Sequence, residues 1–376
     1  MDAYYKVNHR LTGTSVKSIT SALFLICMNC SFVLQMSQLS NYTIIHIFNI
    51  GLTILGIAFL FIHFLTRATI TLKWFLGTIL LIIIGLVTYY KSGSPTILKL
   101  ILFFYAVQNV YRKTILKYFM FSLIIPELIV ILSSFLGITN IRYTGLKSAL
   151  CFGMINPNTV PVIIFAIIVA YNLRHEDNLK FSDIVIEGII TWLTFYFCRA
   201  RTAGLVLVAY YLMLIVIMWW GDKKLVGVFL WLLKFFFPVS AVITIYLAIA
   251  FRSYTAFWLT VNNITSGRLL AWSRYLKMYG VSVLGNNIEL NLGSLDNAYM
   301  QLLIKYGIIA FVTYAIMFYI TSNFAYKNHK RILLVSIIAT EAYCIAEFGP
   351  LLINFCPVLV YLACLLSNER GTMITS

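Results

Sequence analysis

The sequence predicts an all-α, polytopic integral membrane protein with about twelve transmembrane helices and one long outer loop. Three observations predict it. Of 376 residues, 61% are hydrophobic and only 11% charged, where a soluble domain carries about 25% charge. The mean hydropathy is +0.91. Apolar runs also recur at the length of about 20 residues that a helix needs to cross hydrocarbon.

Taken in order, the expected spans lie near 17–36, 44–65, 72–90, 96–111, 115–137, 158–173, 182–198, 203–220, 225–250, 298–322, 332–347 and 350–366. The run at 96–111 is short, and the last two read either as two spans or as one re-entrant hairpin. Residues 1–16 carry Lys6, His9 and Arg10 without a small-residue cleavage site, the pattern of a cytosolic flank before a retained span. Little remains outside hydrocarbon. Residues 1–376 are therefore expected to form a single membrane domain, with 251–297 as its large extracytoplasmic loop.

Charge placement suggests the orientation. With both termini cytoplasmic, the inner loops collect Arg67, Lys73, Arg112, Lys113, Lys117, Arg174, Lys180, Lys223, Lys224, Lys327, Lys330 and Arg331, a positive-inside bias. The outer side then receives Lys91, Arg142, Lys147, Arg199, Arg201, Arg252, Arg268, Arg274 and Lys277. Outer charge opposes this preference, and most of it is arginine, whose rigid fork matches phosphate oxygens bidentately. These arginines either contact anionic headgroups or hold a phosphorylated ligand. The net charge of +16 follows mostly from topology, and the short inner loops offer no base-reading surface, so no nucleic-acid partner is expected.

Neither a metal nor a cofactor is expected. Cys27 and Cys30 have metal-like spacing, but they sit in an apolar run without a nearby His or Cys and read as packing residues. The other cysteines and the five histidines are scattered, and neither a P-loop nor a dinucleotide fingerprint occurs.

Four outer constellations carry candidate chemistry. In Asn156-Pro157-Asn158, Pro157 breaks the chain and Asn158 caps the next helix, or the two amides line a sugar site. In Arg199-Ala200-Arg201-Thr202, Thr202 is a candidate cap and the arginines stand at a helix N-terminus, which already favours anions. From Arg268 to Tyr279, helical spacing sets Arg268, Ala271, Arg274 and Lys277 on one face and Leu269, Trp272, Leu276 and Tyr279 on another. That is an interfacial amphipathic helix, resting on the bilayer or presenting Arg268 to a pyrophosphate. In Asp296-Asn297-Ala298-Tyr299, Asp296 opens the next span, either as a cap or as a carboxylate that binds or deprotonates a hydroxyl. Glu127, Glu341 and Glu347 fall within spans, where carboxylates are costly; they line a polar cavity or pair with Lys99, Lys234 or Lys305.

The ordered set Asn156-Pro157-Asn158, Arg201-Thr202-Ala203-Gly204, Ser266-Gly267-Arg268 with Trp272, and Asp296-Asn297-Ala298-Tyr299 followed by Tyr306-Gly307 resembles the Wzy-type repeat-unit polymerases of O-antigen, capsule and exopolysaccharide, within the O-antigen polymerase and ligase group. The resemblance runs from about Gly153 to Tyr319. It implies a C-type glycosyltransferase superfamily fold and a metal-independent transfer joining oligosaccharide units carried on undecaprenyl pyrophosphate, with a flippase and a chain-length regulator as partners. Arg201 and Arg268, with Arg199 or Arg274, would stabilise the departing pyrophosphate, and Asp296 or Glu289 would take the acceptor proton. Asn156, Asn158, Arg199, Arg274, Glu289, Asn297 and Tyr299 would bind substrate. Two departures stand out. Ala200 occupies a position where such proteins often carry Ser, and the long loop lacks the histidine that resembles a ligase feature, which favours a polymerase. The rivals are a lipid-linked oligosaccharide flippase or transporter, and a ligase.

Overall fold

The computed structural model describes residues 2–66, 72–108, 110–143, 149–221, 224–253, 255–289 and 295–372. Arg67, Lys147 and Lys223 of the charge pattern, the Lys73 side chain and positions 290–294 of the long loop lie outside the described residues. The elements are helices: α1 Asp2–Gln35, α2 Thr43–Leu65, α3 Leu72–Ser92, α4 Thr96–Ala106, α5 Arg112–Phe135, α6 Thr159–Arg174, α7 Phe181–Cys198, α8 Arg201–Trp220, α9 Lys224–Leu233, α10 Phe236–Ala250, α11 Ala256–Ile264, α12 Arg268–Tyr279, α13 Ala298–Gln301, α14 Gly307–Lys327, α15 Arg331–Cys344 and α16 Pro357–Thr372. Among the described residues, β pairing amounts to two isolated bridges, Ser37 with Met154 and Arg142 with Leu150.

Seven of these helical segments are long and apolar enough to cross a membrane, or eight if the bent pair Val226–Leu233 and Phe236–Ala250 counts as one span. Helix composition makes this a multi-pass membrane protein. On α2 the exposed face carries Ile44, Ile47, Ile54, Phe61 and Leu65, apolar side chains that only hydrocarbon would solvate well.

The expected count of twelve is not reached by length. The runs at 96–111, 158–173 and 332–347 become helices of 11, 16 and 14 residues. The run at 225–250 bends by 54°, just ahead of Pro238. At the C-terminal end, 3-10 turns at Gly349–Leu351 and Ile353–Phe355 separate α15 from α16. Pro350 is the local reason, because it lacks an amide proton and blocks helix continuation.

The chain divides into two compact units. The first comprises residues 1–75, 102–211 and 353–376, in which α1 packs on α2 and α5, while α6 packs on α5, α7 and α16. Polar side chains inside it pair with one another. Asn29 Nδ2 donates to Ser122 Oγ at 2.7 Å and Asn29 Oδ1 accepts from Asn354 at 2.7 Å. His63 Nδ1 lies 3.2 Å from Ser21 Oγ. Polar side chains in a low-dielectric interior are tolerable when so satisfied.

The second unit comprises residues 76–101 and 212–352. Its core gathers Ala248 and Phe251 at the end of α10, Leu269, Trp272 and Tyr275 of α12, Ile288 and Leu295 of the following loop, and Met300 and Ile304 at the head of the next span. That span, Ala298–Lys327, is interrupted by a π-helical turn at Leu302–Tyr306. Such turns recur at functional sites.

Candidate functional site

The expected amphipathic helix exists with the expected ends, Arg268–Tyr279. Gly267 starts it in the left-handed region at φ +81°, preceded by Ser266 at φ +57°. Its packing differs from a helix that rests on a bilayer surface. Leu269, Trp272 and Tyr275 are buried in the core of the second unit, and Ala271, placed on the cationic face by spacing, is buried too. Arg274 and Lys277 remain exposed.

Arg268, the first residue of α12, is drawn away from that exposed stripe by two carboxylates. Its Nε lies 3.5 Å from Asp296 Oδ2, and its Nη2 donates to Glu347 Oε1 at 3.1 Å. All three groups keep some access to solvent, with side-chain exposures of 22% for Arg268, 29% for Asp296 and 14% for Glu347. With both acids ionised, the cluster carries one excess negative charge. Burial pushes the Asp296 carboxyl above the ordinary aspartate value, and the Arg268 guanidinium offsets that only in part. A carboxylate so poised is a better proton acceptor than a fully solvated one. On the same helix, Trp272 Nε1 and Ser273 Oγ are buried without a hydrogen-bond partner.

The chain around this cluster is pinned by backbone. Gly285 and Gly307 both have positive φ, +100° and +88°, and approach so closely that a Cβ on either would strike the other's strand of chain: Lys305 O for Gly285, Gly285 N for Gly307. The amides of Asn286, Ile308 and Ile309 donate to Lys305, Ser282 and Val283 at 3.0, 2.9 and 3.2 Å. The loop after α12 is thereby fixed to the head of α14. Tyr306, at the end of the π turn, stacks on Phe348 with ring centres 5.6 Å apart and reaches Ser94 and Thr96 with its hydroxyl at 3.0 and 2.9 Å.

Several expected roles move. The cap at this span is Asn297, not Asp296: Asn297 Oδ1 accepts from the Met300 amide at 2.9 Å while its Nδ2 donates to Ile345 O at 2.6 Å. Asn297 is fully buried with both amide ends engaged, so it holds the loop in place and presents nothing to a sugar. Tyr299 is likewise fully buried, and its hydroxyl donates to Glu341 O at 2.9 Å. It is a core residue. Glu289 is exposed on the loop, its amide donating to Tyr279 Oη at 3.2 Å.

Two of the lysines expected to pair with the span carboxylates, Lys234 and Lys305, lie against aromatic rings. Glu347 pairs with Arg268. Lys234 lies against the rings of Trp231, Phe235 and Tyr326, and Lys305 against Tyr306. Glu127 is buried with neither oxygen hydrogen-bonded.

Asn156, Asn158, Arg199 and Arg201 belong to the first unit. Asn156 is exposed, and its Oδ1 accepts from the Asn158 amide at 2.8 Å. Asn158 precedes α6 but makes no side-chain cap bond. Arg199 takes φ +52° at the end of α7, and α8 begins directly at Arg201, ahead of the expected cap Thr202. Both arginines are exposed.

Glu347 was expected as a span carboxylate facing a polar cavity or a lysine, not as the second acid on Arg268. The available signal was Gly349-Pro350 just beyond it, which bars a helix from continuing past this point; α15 ends at Cys344 and Glu347 lies beyond it. Among the described residues, no group of three His, Cys, Asp or Glu side chains is placed to hold a metal ion. No family model, curated protein or solved structure matches this chain, so what the site does has to be argued from its own residues.

Proposed function

We propose that this protein is a metal-independent glycosyltransferase of the polysaccharide-polymerase kind, joining lipid-pyrophosphate-linked oligosaccharide units at the extracytoplasmic face of a cell membrane, with both termini cytoplasmic. One observation carries the reading: a single arginine held between two partly exposed carboxylates, on a loop helix docked at the head of a span.

The reaction requires an acceptor hydroxyl to lose its proton and attack the anomeric carbon. The bond from that carbon to the pyrophosphate oxygen breaks, and the lipid pyrophosphate departs with the electron pair. Asp296, with its raised affinity for protons, takes the hydroxyl proton. Arg268 orients Asp296 through Nε and exchanges Glu347 for a pyrophosphate oxygen at Nη2, so that charge building on the leaving group meets a guanidinium. Arg274 and Lys277 supply further positive charge on the same helix. The exposed Arg199–Arg201 turn of the first unit is read as an additional anion-binding element. Asn156 and Asn158 remain proposed sugar contacts, and the C-type glycosyltransferase fold, the undecaprenyl carrier and the flippase and chain-length partners rest on the resemblance alone.

The test is product analysis. Cells lacking the gene should display single repeat units on carrier lipid outside the membrane, and the purified protein in vesicles should build a ladder from lipid-linked units. Units trapped inside would replace this reading with a flippase, and long but unattached polymer with a ligase. A cysteine introduced at the exposed Ser266 should react with an impermeant thiol reagent in intact cells, and one at His329 should not; the reverse would overturn the orientation.

A further inference from the structure

A second polar feature lies in the same unit, among residues the transfer does not use. Between the end of α8, the start of α9 and the turn from α14 to α15 is a cavity of about 320 Å³. Its lining includes Lys224, Lys327, His329 and Arg331, and no Asp or Glu among the described residues. Lys224, Lys327 and His329 are exposed. His329 takes φ +54°, and the Lys330 amide turns back to Ala325 O at 2.8 Å, which brings the cationic ends of α14 and α15 to one place. Gly221 lacks the Cβ that would strike the Arg331 guanidinium. At Gly227 a Cβ would meet open space.

The depth of the cavity in a bilayer follows from its neighbours. Trp219 and Trp220 at the end of α8, and Trp231 on α9, are exposed by 63%, 49% and 43%. Exposed tryptophans at helix ends mark the headgroup level of a membrane. Beside the cavity, α9 exposes Val228, Phe229 and Leu232, an apolar surface suited to acyl chains. Basic pockets between spans at this level bind anionic headgroups.

We propose that this cavity binds the phosphodiester of an anionic phospholipid, with the headgroup among Lys224, Lys327 and His329 and the acyl chains along α9. A soluble phosphate compound would satisfy the same cations but would leave the apolar flank unused. The proposal is independent of the transfer reaction and of orientation.

The full chain, purified in detergent, is offered phosphatidylglycerol, phosphatidylcholine or inorganic phosphate, and retained lipid is counted by native mass spectrometry alongside the melting temperature. Phosphatidylglycerol should be retained and raise the melting temperature; the other two should do neither. Lys224→Gln with Lys327→Gln should weaken phosphatidylglycerol retention by about tenfold or more. Gly227→Leu should weaken it comparably by filling the cavity with every charge in place. Lys91→Gln, at the exposed end of α3, should leave phosphatidylglycerol retention unchanged. If the double variant fails to purify as one species, Gly227→Leu and Lys327→Gln alone decide. Equal retention by wild type and these variants would overturn the site, and an equal shift from inorganic phosphate would overturn the lipid as its ligand.

Discussion

Two arginines in this molecule each meet carboxylate, and they meet it differently. In the first unit, Arg112 bonds Glu176, whose side chain is only 3% exposed, while the guanidinium lies 4.4 Å from the centre of the Tyr361 ring. The Tyr361 hydroxyl also reaches Glu176 Oε2 at 3.2 Å. One positive charge faces one negative charge, and a phenol takes up remaining valence. In the second unit, Arg268 faces two acids at 3.5 and 3.1 Å, all three partly exposed. The balanced pair, its carboxylate buried, is a fastener between α5, the α6–α7 turn and α16. The unbalanced, accessible one has a partner to give up, which is what a binding site requires.

Breaking each pair should therefore show in different measurements. The largest stability loss is expected from Arg112→Ala, which strands a buried carboxylate; such losses run to about 3–5 kcal/mol. Arg268→Ala should cost about 1 kcal/mol or less in thermal unfolding, as partly exposed pairs do, yet abolish chain extension. Arg268→Lys should fail almost as badly, because a point charge cannot reproduce the fork. Matching stability losses at the two arginines would erase the distinction.

Asp296→Asn comes next. It should fold normally and slow chain extension by about a hundred- to ten-thousand-fold, the usual contribution of a positioned base. Since Asn297 holds the cap, this substitution tests the carboxylate without touching the helix start. Glu347→Gln should be milder, and Glu289→Gln milder still. Long chains made at the normal rate by Asp296→Asn would remove the base assignment.

The pH profile sharpens the same point. A base must be unprotonated, and burial raises the Asp296 value. The acid limb of kcat/KM should therefore lie above the ordinary aspartate value of about 3.9. Residual activity in Arg268→Gln should show that limb moved to still higher pH, because the opposing positive charge is gone. A limb at or below the ordinary value would argue against Asp296.

Smaller effects belong to the scaffold. Gly285→Ala or Gly307→Ala forces a side chain into the left-handed region and against backbone, and should cost about 1–3 kcal/mol in thermal unfolding. Asn297→Ala should cost about 1 kcal/mol through the lost cap. If either glycine variant melts like the wild type, the loop is not held by the close approach described above.

Membrane character and the helix Arg268–Tyr279 were legible in the sequence, because composition and the Gly267 start are local signals. The start of a span beside Asp296 was legible too. Span number was not: hydropathy averages across the bend before Pro238 and the turns at 349–355, so short helices read as full spans. The burial of Tyr299 could not be read, because a helix apolar on most faces offers no periodic contrast. Nor could the Arg268–Glu347 pair, which joins residues 79 positions apart. The turn at Arg199–Arg201 was legible as a place but not as a conformation.

The two facing glycines limit how this loop can move. Because the chain at 282–286 is hydrogen-bonded to 305–309, it has little freedom to swing open on its own, and the segment that follows α12 travels with the membrane helix it touches. The chain that leaves α12 and the head of α14 are thus tied together before any ligand comes. On the proposed reading a ligand would meet an already assembled loop, and amide hydrogens at Asn286, Ile308 and Ile309 should exchange slowly with or without it.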